Sequence, residues 1–442
     1  MVAQRGARAW PYAGPVRAST ALLTDHYELT MLQAALGSGM AQRRSVFELY
    51  PRRLPEGRRY GVVAGVGRAL DAIEDFRFDD QALDMLENVV DERTRDWLAR
   101  HRFAGDVWGY AEGDLYFPFS PLLIVEGTFA EAVLLETLLL SIYNHDSAIA
   151  SAASRMTQAA AGRPCIEMGS RRTHEEAAVA AARAAYVAGF STTSNLAARR
   201  RYGVPSAGTS AHSFTLLHDS ESEAFRAQVA SLGRGTTLLV DTYDVREAVR
   251  LGIEVAGTEL GAVRIDSGDQ GALAHEVRAE LDALGATDTR IIVTSDLDEY
   301  AIAALAAAPV DAYGVGTQLV IGSGHPTCGF VYKLVAREDN DGDLVAVAKK
   351  STDKISIGGR KWAMRRLSSA GVAEAEVIGV GKPPVNDGDD RELLVPLVRD
   401  GQVVGREPLD AARDRHIAAR GELPHTAEQM SKGEPVIPTQ FV

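Results

Sequence analysis

The spacing of apolar positions along the chain changes character three times. From Leu22 to Met40 apolar residues recur at helical spacing behind Thr24 and Asp25, a cap pair that predicts a first helix. Val46-Phe47-Glu48-Leu49-Tyr50 predicts a strand, and Pro51 to Arg59 a basic loop. Mixed α/β spacing continues to about Ile124, closed by Pro118-Phe119-Ser120-Pro121. An apolar, alanine-rich pattern then predicts a long helical region from about Phe129 to Ala161. Its most apolar run, Ala132 to Tyr143, is short and broken by Glu136, which suits a buried helix and not a membrane span.

From Cys165 the pattern becomes regular. Short apolar strands end in polar or glycine-rich loops, and a helical stretch follows each. The strand ends are Glu167-Met168-Gly169-Ser170-Arg171-Arg172, Thr192-Thr193-Ser194-Asn195 and the loop Gly208-Thr209-Ser210-Ala211-His212-Ser213, which follows Tyr202-Gly203-Val204-Pro205. Next come Leu238-Leu239-Val240-Asp241-Thr242-Tyr243, Val263-Arg264-Ile265-Asp266-Ser267-Gly268-Asp269, Ile292-Val293-Thr294-Ser295-Asp296 and Ala312-Tyr313-Gly314-Val315-Gly316-Thr317. Thr173 with Glu176 reads as a capping box for one helix, and Gly189 as its stop. About seven such units imply parallel strands with right-handed crossovers, closed most simply as an α/β barrel. In barrels of this kind the chemistry collects at the C-terminal strand ends, where the polar residues fall here.

After Tyr332 the pattern turns again. Asp339-Asn340-Asp341-Gly342 and Asp400-Gly401 read as hairpin turns in a small β-rich region, and Leu409 to Arg420 as a helical tail. The expected fold class is therefore α/β: an irregular parallel barrel over 131–331, and a second mixed α/β domain from 1–130 completed by 332–442. Residues 1–20 hold Arg5, Arg8 and Arg17 but no apolar stretch, so a frayed, flexible terminus is expected there and not a secretory signal.

Composition narrows the function. Of 442 residues, 46% are hydrophobic and 24% charged, ordinary values for a globular protein, and the net charge is −13. That balance argues against a general nucleic-acid or anionic-membrane binder. The two cysteines, Cys165 and Cys328, show no metal-ligand spacing, and a reducing cytoplasm is expected.

Several strand ends carry candidate chemistry. Gly208 permits a tight turn, and Thr209, Ser210 and Ser213 flank the His212 imidazole, which is either structural or a nucleophile. Gly314, Gly316 and Thr317 either close a turn or offer backbone donors to a phosphate, to which Thr294, Ser295 and Asp296 add hydroxyls and amides. Asp266 and Asp269 are turn acids, or grip ribose hydroxyls or Mg²⁺, with Arg264 free for a substrate anion. Arg171 and Arg172 are a solvated pair or a phosphate and carboxylate clamp, and Tyr27 is a core residue or a stacking platform. No Walker loop, G-x-S-x-G elbow or HExxH occurs.

In this order, Tyr202-Gly203-Val204-Pro205, Gly208-Thr209-Ser210-Ala211-His212-Ser213, Arg264-Ile265-Asp266-Ser267-Gly268-Asp269 and Gly314-Val315-Gly316-Thr317 resemble the nicotinate phosphoribosyltransferase family, as does Leu22 to Met31. The resemblance runs to at least Lys333. It implies ATP-coupled transfer of a 5-phosphoribosyl group from phosphoribosyl pyrophosphate (PRPP) to nicotinate, with Mg²⁺, in NAD salvage. It further implies phosphorylation of His212 and catalytic use of Asp266 on the ribose. Tyr27, Arg171, Thr209 and Arg264 match nicotinate-binding positions. Arg172, Asp269, Ser295, Asp296, Gly314, Gly316 and Thr317 match PRPP and phosphate contacts, and Asp266 and Asp269 candidate magnesium ligands. A homodimer is implied, with Tyr27 completing the neighbouring subunit's site. Nicotinamide-using relatives carry an acid where this chain has Thr193-Ser194-Asn195, which favours the carboxylate substrate, and Met168 stands where the family suggests an aromatic residue. Rival expectations are another pyridine phosphoribosyltransferase, acting on nicotinamide or quinolinate, and a non-catalytic sugar-phosphate-binding barrel.

Overall fold

Asp25 opens the first helix, His26–Ser38, by accepting the Tyr27 N–H, and Gly39 closes it in the left-handed conformation that glycine adopts without strain. These and all other elements belong to a computed structural model that describes residues 18–349 and 356–442. The helix turns Leu29, Leu32 and Leu36 into the core, and buries Glu28, whose carboxylate accepts the Thr137 N–H at 2.9 Å.

The N-terminal part contributes β1 (Arg44–Pro51), β2 (Gly61–Val62), β3 (Asp106–Tyr110), β4 (Leu115–Tyr116) and β5 (Leu123–Thr128). The middle of the chain gives β6 (Cys165–Glu167), β7 (Thr192–Thr193), β8 (Thr237–Leu239), β9 (Ala262–Ile265), β10 (Arg290–Ser295) and β11 (Ala312–Val315). Beyond it lie β12 (Phe330–Glu338), β13 (Leu344–Ala346), β14 (Lys361–Leu367), β15 (Ala373–Val380), β16 (Arg391–Glu392), β17 (Leu394–Arg399), β18 (Gln402–Val403) and β19 (Thr439–Phe441).

Two large sheets organise these strands. A seven-stranded antiparallel sheet, β13-β12-β1-β5-β3-β17-β18, interleaves strands from the two ends of the chain. A six-stranded parallel sheet, β7-β6-β11-β10-β9-β8, holds the middle. A four-stranded sheet, β16-β14-β15-β19, and the pair β2-β4 complete the set. The turns expected at Asp339–Gly342 and Asp400–Gly401 join β12 to β13 and β17 to β18.

The parallel sheet is a half-barrel: β7 and β8 are its edges and do not pair. Where the sequence suggests a seventh strand, before His212, only an isolated bridge forms between Thr193 and Ser206. Pro205 explains this. It accepts the Thr193 N–H at 2.9 Å but has no N–H of its own to continue a ladder. A second correction concerns the helix Glu175–Val187. Its cap is His174, whose Nδ1 accepts the Glu176 N–H at 3.3 Å, and not a Thr173–Glu176 capping box. The helix starts one residue too late for Thr173 to reach its first turn. Gly189 follows its end with φ at 105°.

The long helix Glu136–Ala159 ties the two halves together. Leu138, Leu139, Ile142 and Tyr143 pack in the core beneath the antiparallel sheet, while Ile149, Ala150, Ala153 and Met156 pack in the core of the half-barrel. Its alanines face Ala181, Ala184 and Ala185 of the next helix in the same core, and small side chains permit close approach. Truncating Leu139 to alanine would cost about 2–5 kcal/mol at such a site. The tail helix, Leu409–Gly421, docks through Arg413, whose guanidinium donates to the carbonyls of Tyr186, Gly189 and Phe190. Both cysteines are buried free thiols, pushed up to about 12 by burial. Among the described residues no helix is long and apolar enough to cross a membrane. The segment from Lys350 to Trp362, which the sequence left without a role, lies partly outside the described residues; its last two positions, Lys361 and Trp362, begin β14.

Candidate active site

Because the six strands of the half-barrel are parallel, their C-terminal ends share one edge, and the polar residues singled out in the sequence fall along it. On β9, Val263 and Ile265 point into the core, so the alternation of the strand turns Arg264 the other way. Its Nη1 donates to the Thr209 hydroxyl. Its Nε is buried and has no partner within the protein. Burial pulls the Arg264 guanidinium below its ordinary range, Asp266 and Asp241 push back, and Arg171 adds a like charge. The result is a cation held at a strand end with a donor left over for an anion.

Two residues on, the turn begins. The Asp266 N–H donates to Asp241 Oδ2 at 3.0 Å, and the Ser267 hydroxyl to the same oxygen at 2.6 Å, so the end of β8 fixes the turn after β9. One Asp266 oxygen accepts the Thr294 hydroxyl from β10. The other faces His212 Nε2 at 4.0 Å. On its far side, His212 Nδ1 lies 3.1 Å from Thr242 Oγ1. The side chains of His212 and Asp266 keep 41% and 38% of their accessible surface, so both can be reached by a bound molecule. His212 begins the short helix His212–Leu217.

All the remaining candidates except Tyr27 follow the ends of neighbouring strands. Ser295 pairs with Val315 across β10 and β11, which places Ser295 and Asp296 beside Gly316 and Thr317. Gly314 is required sterically: a Cβ there would stand 2.4 Å from Thr294 Cγ2 and 2.8 Å from Met168 Sδ. Met168, where an aromatic residue was expected, therefore lays its sulfur against this floor. Arg171 and Arg172 are exposed on the turn after β6, where the Arg172 N–H donates to the Gly169 carbonyl at 2.8 Å. Asp269 caps the helix Gln270–Ala283 through the Ala272 N–H at 3.1 Å. Tyr27 stands elsewhere. It is 42% exposed on the first helix, where burial and the nearby Glu136, Glu28 and Asp25 carboxylates raise its hydroxyl well above the usual range.

Sequence reasoning gave no role to Asp241 or Thr242, which hold Asp266 and His212 in place. Their position after an apolar strand was the available signal. Among the described residues no group of three or more His, Cys, Asp or Glu is gathered to hold a metal by itself.

Residues 22–144 match the model of the nicotinate phosphoribosyltransferase N-terminal domain, and residues 164–365 that of the nicotinate phosphoribosyltransferase family. The chain belongs to the nicotinate phosphoribosyltransferase family. It is 57% identical over 430 residues to the Mycobacterium tuberculosis nicotinate phosphoribosyltransferase pncB1, covering 95% of each chain. It is 37% identical over 394 residues to a Bacillus subtilis nicotinate phosphoribosyltransferase, covering 86% of this chain and 80% of that one. The crystal structure of human nicotinic acid phosphoribosyltransferase superposes with a TM-score of 0.81 at 25% identity, covering 95% of this chain and 97% of the other. In this nicotinate phosphoribosyltransferase fold, both family segments contribute: the first contains Tyr27, and the second every other candidate.

Proposed function

We propose that the chain transfers the 5-phosphoribosyl group of PRPP to the ring nitrogen of nicotinate, coupled to ATP through phosphorylation of His212. One observation carries the reading: Arg264, with an unpartnered buried Nε, shares a strand edge with the facing pair His212 and Asp266. A carboxylate substrate supplies the acceptor that Arg264 lacks, with Thr209 beside it and Arg171 nearby. The bond from C1′ of the ribose to pyrophosphate breaks, pyrophosphate leaves with the electron pair, and the pyridine nitrogen bonds to C1′. Such a step depends on positioning and on charge stabilisation of an oxocarbenium-like centre and a departing anion.

Asp266 holds the ribose hydroxyls. Arg172 faces the pyrophosphate, and Ser295, Asp296, Gly314, Gly316 and Thr317 surround the 5′-phosphate. The donor set fits Mg²⁺, which binds through one or two carboxylates and takes its other ligands from phosphates and water. Asp266 and Asp269 would hold it, and the ion would neutralise charge on the pyrophosphate. For ATP, the γ-phosphoryl group passes to His212 Nε2 and ADP leaves. The new phosphate then adds negative charge beside Asp266 and its partners, a local electrostatic switch. In a cytoplasmic homodimer, the exposed Tyr27 stacks on the pyridine ring in the neighbouring subunit's site.

Pyrophosphate release from PRPP, measured with nicotinate, nicotinamide or quinolinate and with or without MgATP, tests the reading. Release with nicotinate, enhanced by MgATP, is expected. Release with another acceptor alone would overturn the substrate, and no release with any would leave a PRPP-binding barrel.

A further inference from the structure

Beneath the edge that gathers the candidate residues lies a carboxylate that the reaction does not touch. Glu167, the last residue of β6, has no exposed surface. One of its oxygens accepts the Gly169 N–H and the other the Thr193 hydroxyl. Thr193 Oγ1 in turn accepts the Asn195 N–H at 2.9 Å, and Asn195 Nδ2 donates to Ser170 Oγ at 3.0 Å. The ring of bonds thus closes between the turn that carries Arg171 and the loop after β7.

Thr193 extends the ring further. Its N–H donates to the Pro205 carbonyl at 2.9 Å, and its own carbonyl accepts the Ala207 N–H at 3.0 Å. Those bonds hold the segment that runs directly into Gly208 and Thr209. Among the described residues no cation pairs with Glu167. Burial pushes its carboxyl above the ordinary range, and only the bonds from Thr193 and Gly169 pull it back. A buried acid without a counter-charge is a costly way to fill space, so its two acceptor oxygens are what the position requires.

We infer that Glu167 is a positioning residue, locking the Arg171 turn to the Thr209 loop at one spacing so that both meet the same bound nicotinate. The inference rests on the function proposed above. It makes the loops' separation, and not their chemistry, depend on Glu167.

The test is steady-state kinetics of Glu167→Met, Thr193→Val and the double variant, with Glu167→Gln as the conservative control. Methionine fills the volume without hydrogen bonds, whereas glutamine can accept from Gly169 and donate to Thr193. Glu167→Met and Thr193→Val should each raise the KM for nicotinate about tenfold, the cost of losing a hydrogen bond to a charged group, with kcat within about threefold. The double variant should be no worse than either single one, and Glu167→Gln should restore most of the loss. ATP hydrolysis without nicotinate should be unaffected in all four. Multiplying effects, an unrestored Glu167→Gln, or equal losses in kcat and in nicotinate-independent ATP hydrolysis would overturn the inference. If Glu167→Met does not fold, Thr193→Val and Glu167→Gln decide on the same criteria. Failure of the parent protein to turn over nicotinate at all would instead remove the functional reading, and this inference with it.

Discussion

The two large sheets treat charged side chains in opposite ways. Around the antiparallel sheet and its C-terminal neighbour, charges are spent on one another. Arg365 and Glu376 pair at 2.8 Å with no exposure on either side chain, and Arg391 bonds both Asp114 and Glu422. Lys361 meets Glu48 in the core between β14 and β1. Along the edge of the parallel sheet, Arg171, Arg172 and Asp296 are exposed, and Arg264 bonds the Thr209 hydroxyl but, among the described residues, pairs with no carboxylate. The first arrangement fixes the fold, since a buried charge is tolerated when its partner is in place. The second leaves groups for which substrate is the missing partner. Net charge conveys none of this; the difference lies in whether each charge already has a counterpart.

Mutations that exchange the two behaviours should separate them. The largest effect is expected at Arg365: Arg365→Ala leaves Glu376 buried with the Tyr110 and Ser120 hydroxyls but no counter-charge, and chemical denaturation should show a loss of about 3–5 kcal/mol, with KM for nicotinate unchanged in the protein that remains folded. Arg264→Ala should do the reverse. It should lower kcat/KM for nicotinate by about a hundredfold, equivalent to about 2.7 kcal/mol, and leave the denaturation midpoint within error.

A third test uses pH. Glu221 is buried beside Asp244, one of its oxygens has no partner, and its carboxyl is pushed up from 4.5 to about 7 by burial and by that neighbour. The folded protein therefore binds this proton more tightly than the unfolded chain does. The associated stability is complete below about pH 4.5 and is lost as pH rises through about 7. Glu221→Gln should match the parent at pH 4 and exceed it by about 1–3 kcal/mol at pH 8. The smallest effect is expected from Thr242→Val, which removes the hydroxyl facing His212 Nδ1. It should reduce the ATP-dependent rate by up to about tenfold without altering stability.

Much of this was legible in the chain. The parallel strands announced themselves because each short apolar run ends in polar residues, and Arg264, Asp266 and Thr317 stand at such ends, whereas the expected closure into a barrel and the strand before His212 did not form. What sequence could not supply was register. Asp241 grips the Asp266 N–H because β8 and β9 align Leu239 with Arg264, a fact about pairing and not about spacing. Glu167 escaped notice for the same reason, since its partner Thr193 lies on the adjacent strand. Pro205 was visible, but its consequence for the expected seventh strand depends on which Thr193 groups it faces. Tyr27 read as a core residue or a stacking platform, and only the resemblance gave it a place in the neighbouring subunit's site; within one chain its hydroxyl lies near the Glu136 carboxylate.

The central claim is that His212 is left open to accept a phosphoryl group. Incubation with ATP radiolabelled at the γ-phosphate, followed by acid and alkali treatment of the separated protein, tests it most directly. The account predicts an acid-labile, alkali-stable label that maps to His212, is absent from His212→Ala, and discharges when PRPP and nicotinate are added. Undiminished nicotinate-linked ATP hydrolysis in His212→Ala, with no label on the parent, would contradict it.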